Sequence, residues 1–109
     1  MQILIYNQKI IYQDPVNDAK YVNINNTIVI GFDEIIRSSV LNSLIIVRGS
    51  LSGIHSGEVI LSSDKKKIIF KPHQPFFFNE TVEVRLSRLK TTGTSNNNLT
   101  YSFQTQINK

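Results

Sequence analysis

The chain has 109 residues, 40% of them hydrophobic, a formal net charge of +4, and neither cysteine nor tryptophan. That length supports one core and not two, and the missing cysteines exclude a disulfide framework, a thiolate metal site and a thiol nucleophile; with no tryptophan either, the Cys, Trp, Cys centre of antibody-type domains is excluded. The positive charge does not mark a nucleic-acid binder, because the cations are scattered and only Lys65-Lys66-Lys67 forms a run, and no apolar stretch approaches the roughly 20 residues of a spanning helix, so no membrane insertion is expected.

Residues 1–9 read as a linker or an extra edge strand, with Ile3-Leu4-Ile5 its apolar part, and residues 10–109 as the domain. Ile10, Ile11 and Tyr12 suggest a first strand. Asp14-Pro15-Val16-Asn17-Asp18 is a turn by composition, since proline fixes φ and the Asx side chains hydrogen-bond locally. Tyr21 to Ile24 suggests a short strand. In Thr27 to Glu34 the residues Ile28, Ile30 and Phe32 recur at every second position, which sends all three to one face of a core strand. Ile35 to Leu41 has helix-like spacing over about two turns, so a helical turn on the rim is expected.

Leu44 to Arg48 is nearly continuously apolar, as in a central strand or one covered on both faces. Gly49 to Gly53 reads as a turn, Gly57 to Ser62 as a strand, Ser63-Asp64-Lys65 as a turn, and Lys67 to Pro72 as a strand stopped by a proline that cannot donate to a ladder. Pro75 and Phe76-Phe77-Phe78 form a corner. Val82, Val84 and Leu86 then alternate with Thr81, Glu83, Arg85 and Ser87, giving one dry face and one wet. Thr92 to Asn98 is an uncharged loop, and Leu99, Tyr101 and Phe103 alternate as a last strand. Short strands with turn signals at roughly 8 to 12 residue intervals predict an all-β fold, an antiparallel sandwich of about seven strands.

The order of these pieces resembles the bacterial Ig-like domain of the type named after the S-layer protein SbsA. The resemblance is carried by Thr27-Ile28-Val29-Ile30-Gly31-Phe32-Asp33-Glu34, Ile45-Ile46-Val47-Arg48-Gly49, Gly57-Glu58-Val59, Ile69-Phe70-Lys71-Pro72, Thr81-Val82-Glu83-Val84-Arg85-Leu86 and Phe103-Gln104-Thr105. It departs before the last strand, where Thr92-Gly93-Thr94-Ser95-Asn96 replaces the Asp-x-x-Gly-Asn common in such domains. The resemblance implies an Ig-like β-sandwich in an exported bacterial protein, extracellular or on the cell surface, whose signal lies outside this sequence. It also implies a spacer, adhesion or accessory role.

No catalytic, cofactor or metal residues are expected. His55 sits among Gly and Ser, His73 between prolines, and both are expected as solvated loop histidines; no serine stands in a Gly-x-Ser-x-Gly elbow, and zinc would need further ligands. Phe76, Phe77 and Phe78 are the candidate interface. Three consecutive aromatics on an extended segment cannot all face inward, so one or two are expected to plug the core and one to pack on a neighbouring domain or a surface protein. Carbohydrate is the alternative partner, with Tyr12, Tyr21 or Tyr101 as a stacking platform.

Overall fold

A computed structural model of the chain describes residues 10–37, 45–90 and 96–108. Among these residues there are eight strands and no helix: β1 (Ile10–Asp14), β2 (Ile28–Phe32), β3 (Ile45–Gly49), β4 (Gly53–His55), β5 (Gly57–Leu61), β6 (Lys67–Pro72), β7 (Thr81–Lys90) and β8 (Asn96–Gln104). They form two four-stranded antiparallel sheets, ordered β1-β2-β6-β5 and β4-β3-β7-β8. The sandwich therefore has eight strands where the spacing predicts about seven.

Period-two alternation decides what lies between the sheets. Ile28, Ile30 and Phe32 of β2 and Ile68 and Phe70 of β6 face Ile45 and Val47 of β3, Val82, Val84 and Leu86 of β7, and Tyr101 and Phe103 of β8; all are buried in one cluster. The intervening residues turn out. β3 is central in its sheet but has only one covered face, since Ile46 and Arg48 are exposed.

Four local expectations change. β4 (Gly53–His55) begins on the last residue of the predicted turn and takes in His55, expected in a loop; it is too short to show a period, and Gly53 at φ +83° makes the reversal that returns it onto β3, pairing Val47 with His55. The predicted strand at Tyr21 to Ile24 shrinks to one parallel bridge between Val22 and Thr105, because Tyr21 has φ +59° and breaks the extended run. Asn96 and Asn97, read as loop, pair with Lys90 and Leu89 at the start of β8. Ile35 to Arg37 makes no helical turn; Ile36 is instead buried, its N–H donating to the Lys65 carbonyl at 2.7 Å. The rest of that predicted turn, Ile3-Leu4-Ile5 and Thr92 to Ser95 lie outside the described residues.

The chain runs between opposite ends of the sandwich. Ile10 is paired with Phe32, at the end where the β5–β6 turn lies, whereas Thr81 is paired with Gln104 at the other end, beside the turn that follows Pro72. The outer edge of β8 at this second end is covered by residues 18–22: Asp18 N–H donates to the Ser102 carbonyl, Gln104 N–H to Ala19, Val22 N–H to Gln104 and Gln106 N–H to Val22, at 2.7 to 3.0 Å. An edge left bare there would template pairing with another chain.

Candidate functional site

The turn from Pro72 to Thr81 closes the C-terminal end of the sandwich and splits the three phenylalanines. Phe76 is 2% exposed and plugs the core, its ring 4.6 Å from the His55 ring and 5.9 Å from Phe103, edge-on to the latter. Phe77 is 55% exposed and Phe78 36%. The backbone holds Phe77 outward: its N–H donates to Glu80 Oε2 at 2.7 Å and its carbonyl accepts the Thr105 hydroxyl at 2.7 Å.

Glu80 organises this end. It is buried, and its carboxylate accepts the Leu51 and Ser52 amides on Oε1 at 2.8 and 2.9 Å, and the Ser52 hydroxyl and the Phe77 amide on Oε2, both at 2.7 Å. Burial on its own would raise the carboxyl's pKa. The Ser52 hydroxyl and the amides of Ser52, Phe77 and Leu51 outweigh it and hold the group below its ordinary range, so it is ionised at neutral pH. Thr105, also buried, completes the closure: its hydroxyl accepts the Glu80 N–H at 2.9 Å. Gly49 supplies the space, since a Cβ there would overlap the Ser52 hydroxyl and both Glu80 carboxylate oxygens.

Counting in twos makes Glu80 visible in the sequence. Val82, Val84 and Leu86 face inward, so position 80 shares their side; position 49 likewise follows Ile45 and Val47, and position 105 follows Tyr101 and Phe103. Three strands thus end their dry faces in a glutamate, a glycine and a threonine at the same end.

The network also fixes what His55 and Ser52 can do. An ionised carboxylate only accepts, so the Ser52 proton points at Glu80, and His55 Nε2, 2.7 Å from Ser52 Oγ, is the donor in that contact. In this arrangement the imidazole does not take the serine proton, which is the reverse of an activated nucleophile. His55 is therefore not a solvated loop histidine but a half-buried one on β4, its ring tilted by 60° against Phe76. His73 is exposed, and its Nδ1 faces a different serine, Ser56, at 3.3 Å. Among the described residues no group of three or more His, Cys, Asp or Glu is placed to hold a metal ion.

Around this plug lies an apolar rim. Leu51 and Phe77 are joined through the two oxygens of Glu80, and Phe77 and Ile54 flank an open groove of about 390 Å³ that reaches down to His55. Leu51 and Ile54 are exposed by 63% and 72%. Residues 105–108 leave the sandwich alongside, with the Asn79 N–H donating to the Gln106 carbonyl at 3.0 Å. Of the tyrosines proposed as stacking platforms, Tyr12 and Tyr21 are exposed, but Tyr101 is buried and presents no face to a ligand. Burial, and then the nearby Asp14 charge, push its phenol pKa upward.

The bacterial Ig-like domain family model matches residues 7–105. The chain belongs to that family. No curated protein matches this Ig-like domain in sequence. Among solved structures it is similar to surface layer protein SbsC, domains 1–6, at 12% identity and a TM-score of 0.61 over 79% of this chain, and to the LD transpeptidase LdtMt1 in complex with imipenem, at 16% identity and 0.62 over 90%. The domain spans 12% of the former structure's chain and 39% of the latter's. It is also similar to PcoC, a copper resistance protein from Escherichia coli, at 16% identity and 0.64, covering 88% of this chain and 97% of that one. At these identities the likeness is one of fold.

Proposed function

We propose that this Ig-like domain, of the type named after SbsA, is a non-catalytic spacer, adhesion or accessory module of a larger secreted or cell-surface bacterial protein. Phe77 and Phe78 form its contact with the neighbouring domain. The observation that carries the reading is the outward-held Phe77 beside the departing C-terminal residues: polypeptide continuing beyond them starts against the rim of Phe77, Phe78 and Leu51. Because residue 10 lies at the opposite end, the domain can be threaded in series, with residues 1–9 as its lead-in. The inward-directed Ser52 proton supports a role without turnover. The scattered cations support protein rather than nucleic acid as the partner, and no described helix is long and apolar enough to cross a membrane.

Serine substitutions separate the rings. Phe76→Ser removes a core plug and should cost about 3–5 kcal/mol, whereas Phe77→Ser and Phe78→Ser should change the stability of the domain alone by no more than about 0.5–1 kcal/mol. In the full parent protein the latter two should broaden the domain-to-domain distance distribution measured by small-angle scattering. Equal destabilisation by all three in the domain alone would make them all core and end the reading.

A further inference from the structure

At the same end as the phenylalanine rim, but on the outer face of the β4-β3-β7-β8 sheet, a second groove of about 240 Å³ runs between residues 20–21, the start of β7 and the end of β8. Its walls are apolar: Tyr21, 69% exposed, and Ile107, 49% exposed. Its floor is polar and uncharged. The β7–β8 register places Thr81 opposite Gln104, and since Val82 and Phe103 point inward, the Thr81 hydroxyl and the Gln104 amide leave by the same outer face, with Asn79 beside them. The Glu80 carboxylate is turned into the sandwich and occupied by its own network, so the charge available at the groove is Lys20, whose ammonium lies 3.5 Å from Gln104 Oε1.

An exposed tyrosine is ordinary, but Tyr21 is held at φ +59°. A bulky aromatic in the left-handed region is a backbone outlier with a real cost, and such strain persists where the surrounding structure imposes it, often at binding sites. Here the hydrogen bonds of Ala19 and Val22 to β8 fix the backbone on either side, so the strained residue presents its ring instead of relaxing.

We propose that this groove binds a short acidic saccharide, stacked on Tyr21. A sugar ring has apolar C–H faces and a hydroxyl edge, which match two apolar walls over an amide and hydroxyl floor. Lys20 favours a sugar bearing a carboxylate. The volume is below the range usual for drug-sized ligands, so a single ring is the unit held.

The test is calorimetric titration of the domain with trigalacturonate and with its carboxyl-reduced, neutral form. The acidic form should bind more tightly, and that advantage should fade with added salt. Tyr21→Ala should lose about tenfold in affinity, the size of one aromatic contact. Tyr12→Ala, on the opposite sheet, should lose nothing, and Lys20→Gln should bring the acidic form down to the neutral one. Folding gives an independent readout: Tyr21→Gly relieves the left-handed strain, so its Tm should rise by roughly 2–4 °C while binding is lost. No binding of either form, an equal loss with Tyr12→Ala, or a lowered Tm in Tyr21→Gly would each overturn the proposal; the last would make Tyr21 a packing residue.

Discussion

The two ends of this sandwich are each tied by a carboxylate, and the two ties are built in opposite ways. At the N-terminal end Asp64 is exposed and binds its immediate neighbours: the Ser62 hydroxyl at 2.6 Å and the Lys66 amide at 3.0 Å, two residues away on either side. At the C-terminal end Glu80 is buried and reaches Leu51 and Ser52, 29 and 28 residues back, which joins the β3–β4 turn to the start of β7. A local tie shapes a turn that the strands on both sides already require. A distant one closes a large loop, and its part-buried donors converge on a single buried carboxylate, so losing it removes the acceptor of all of them at once.

The strongest way to break the contrast is Glu80→Ala, which leaves three backbone amides without their acceptor and should cost about 3 kcal/mol, a fall in Tm of about 12 °C for a chain this size. Gly49→Ala attacks the same network from the other side by placing a methyl group where the carboxylate sits, and about 2–3 kcal/mol is expected. Differential scanning calorimetry on the two variants and their double mutant reads this directly. If both act on one network, the double mutant should lose clearly less than the sum.

Acid should weaken the same tie. The folded-state pKa of Glu80 lies below its ordinary 4.5, so its contribution is complete above that value and is lost as pH falls through the folded-state pKa. Asp64, also held low by the Ser62 hydroxyl and the Lys66 amide, acts with the same sign, but it is fully in solvent and contributes far less. Urea midpoints of wild type and Glu80→Gln should differ most near neutrality and converge as the pH falls below 4.5 and through the folded-state pKa. A gap that persists unchanged into acid would mean that the charge on Glu80 is not what the four donors respond to.

How much of this could be read from the residues follows the same division. The β5–β6 turn is legible because its chemistry is local, Ser and Asp followed by a lysine at φ +62°, and the core strands are legible because a period of two is local as well. Glu80 is hidden for a different reason. Asn79-Glu80-Thr81 has the composition of a solvated corner, and only the extended count from Val82 puts position 80 on the dry face. Even then, nothing in the sequence says that Leu51, Ser52 and Phe77 arrive there with donors. Gly49 has the composition of a turn residue at the end of an alternating strand. Its actual role, space for another strand's carboxylate, is a tertiary fact. That three consecutive aromatics cannot all face inward is legible from the extended run; that Phe76 is the buried ring and Phe77 an exposed one depends on the Glu80 and Thr105 clamp on the Phe77 backbone.

The smallest expected effect is the most informative about the other end. Asp64→Asn keeps an acceptor oxygen for the Ser62 hydroxyl and the Lys66 amide, and should be nearly indistinguishable from wild type at neutral pH. Asp64→Ala removes the acceptor, yet the turn retains the Lys65 N–H to Ser62 carbonyl bond, the Ser62 hydroxyl's contact with the Lys67 amide and the pairing of β5 with β6. A loss of Tm of about 2 °C or less is therefore expected, as for an exposed site whose partners can turn to water. Because the two carboxylates share no partner, Asp64→Ala combined with Glu80→Ala should lose the sum of the separate losses. A combined loss well beyond that sum would mean that the β5–β6 turn and the C-terminal plug unfold as one unit, and the distinction between a local tie and a distant one would no longer describe how the two ends are held.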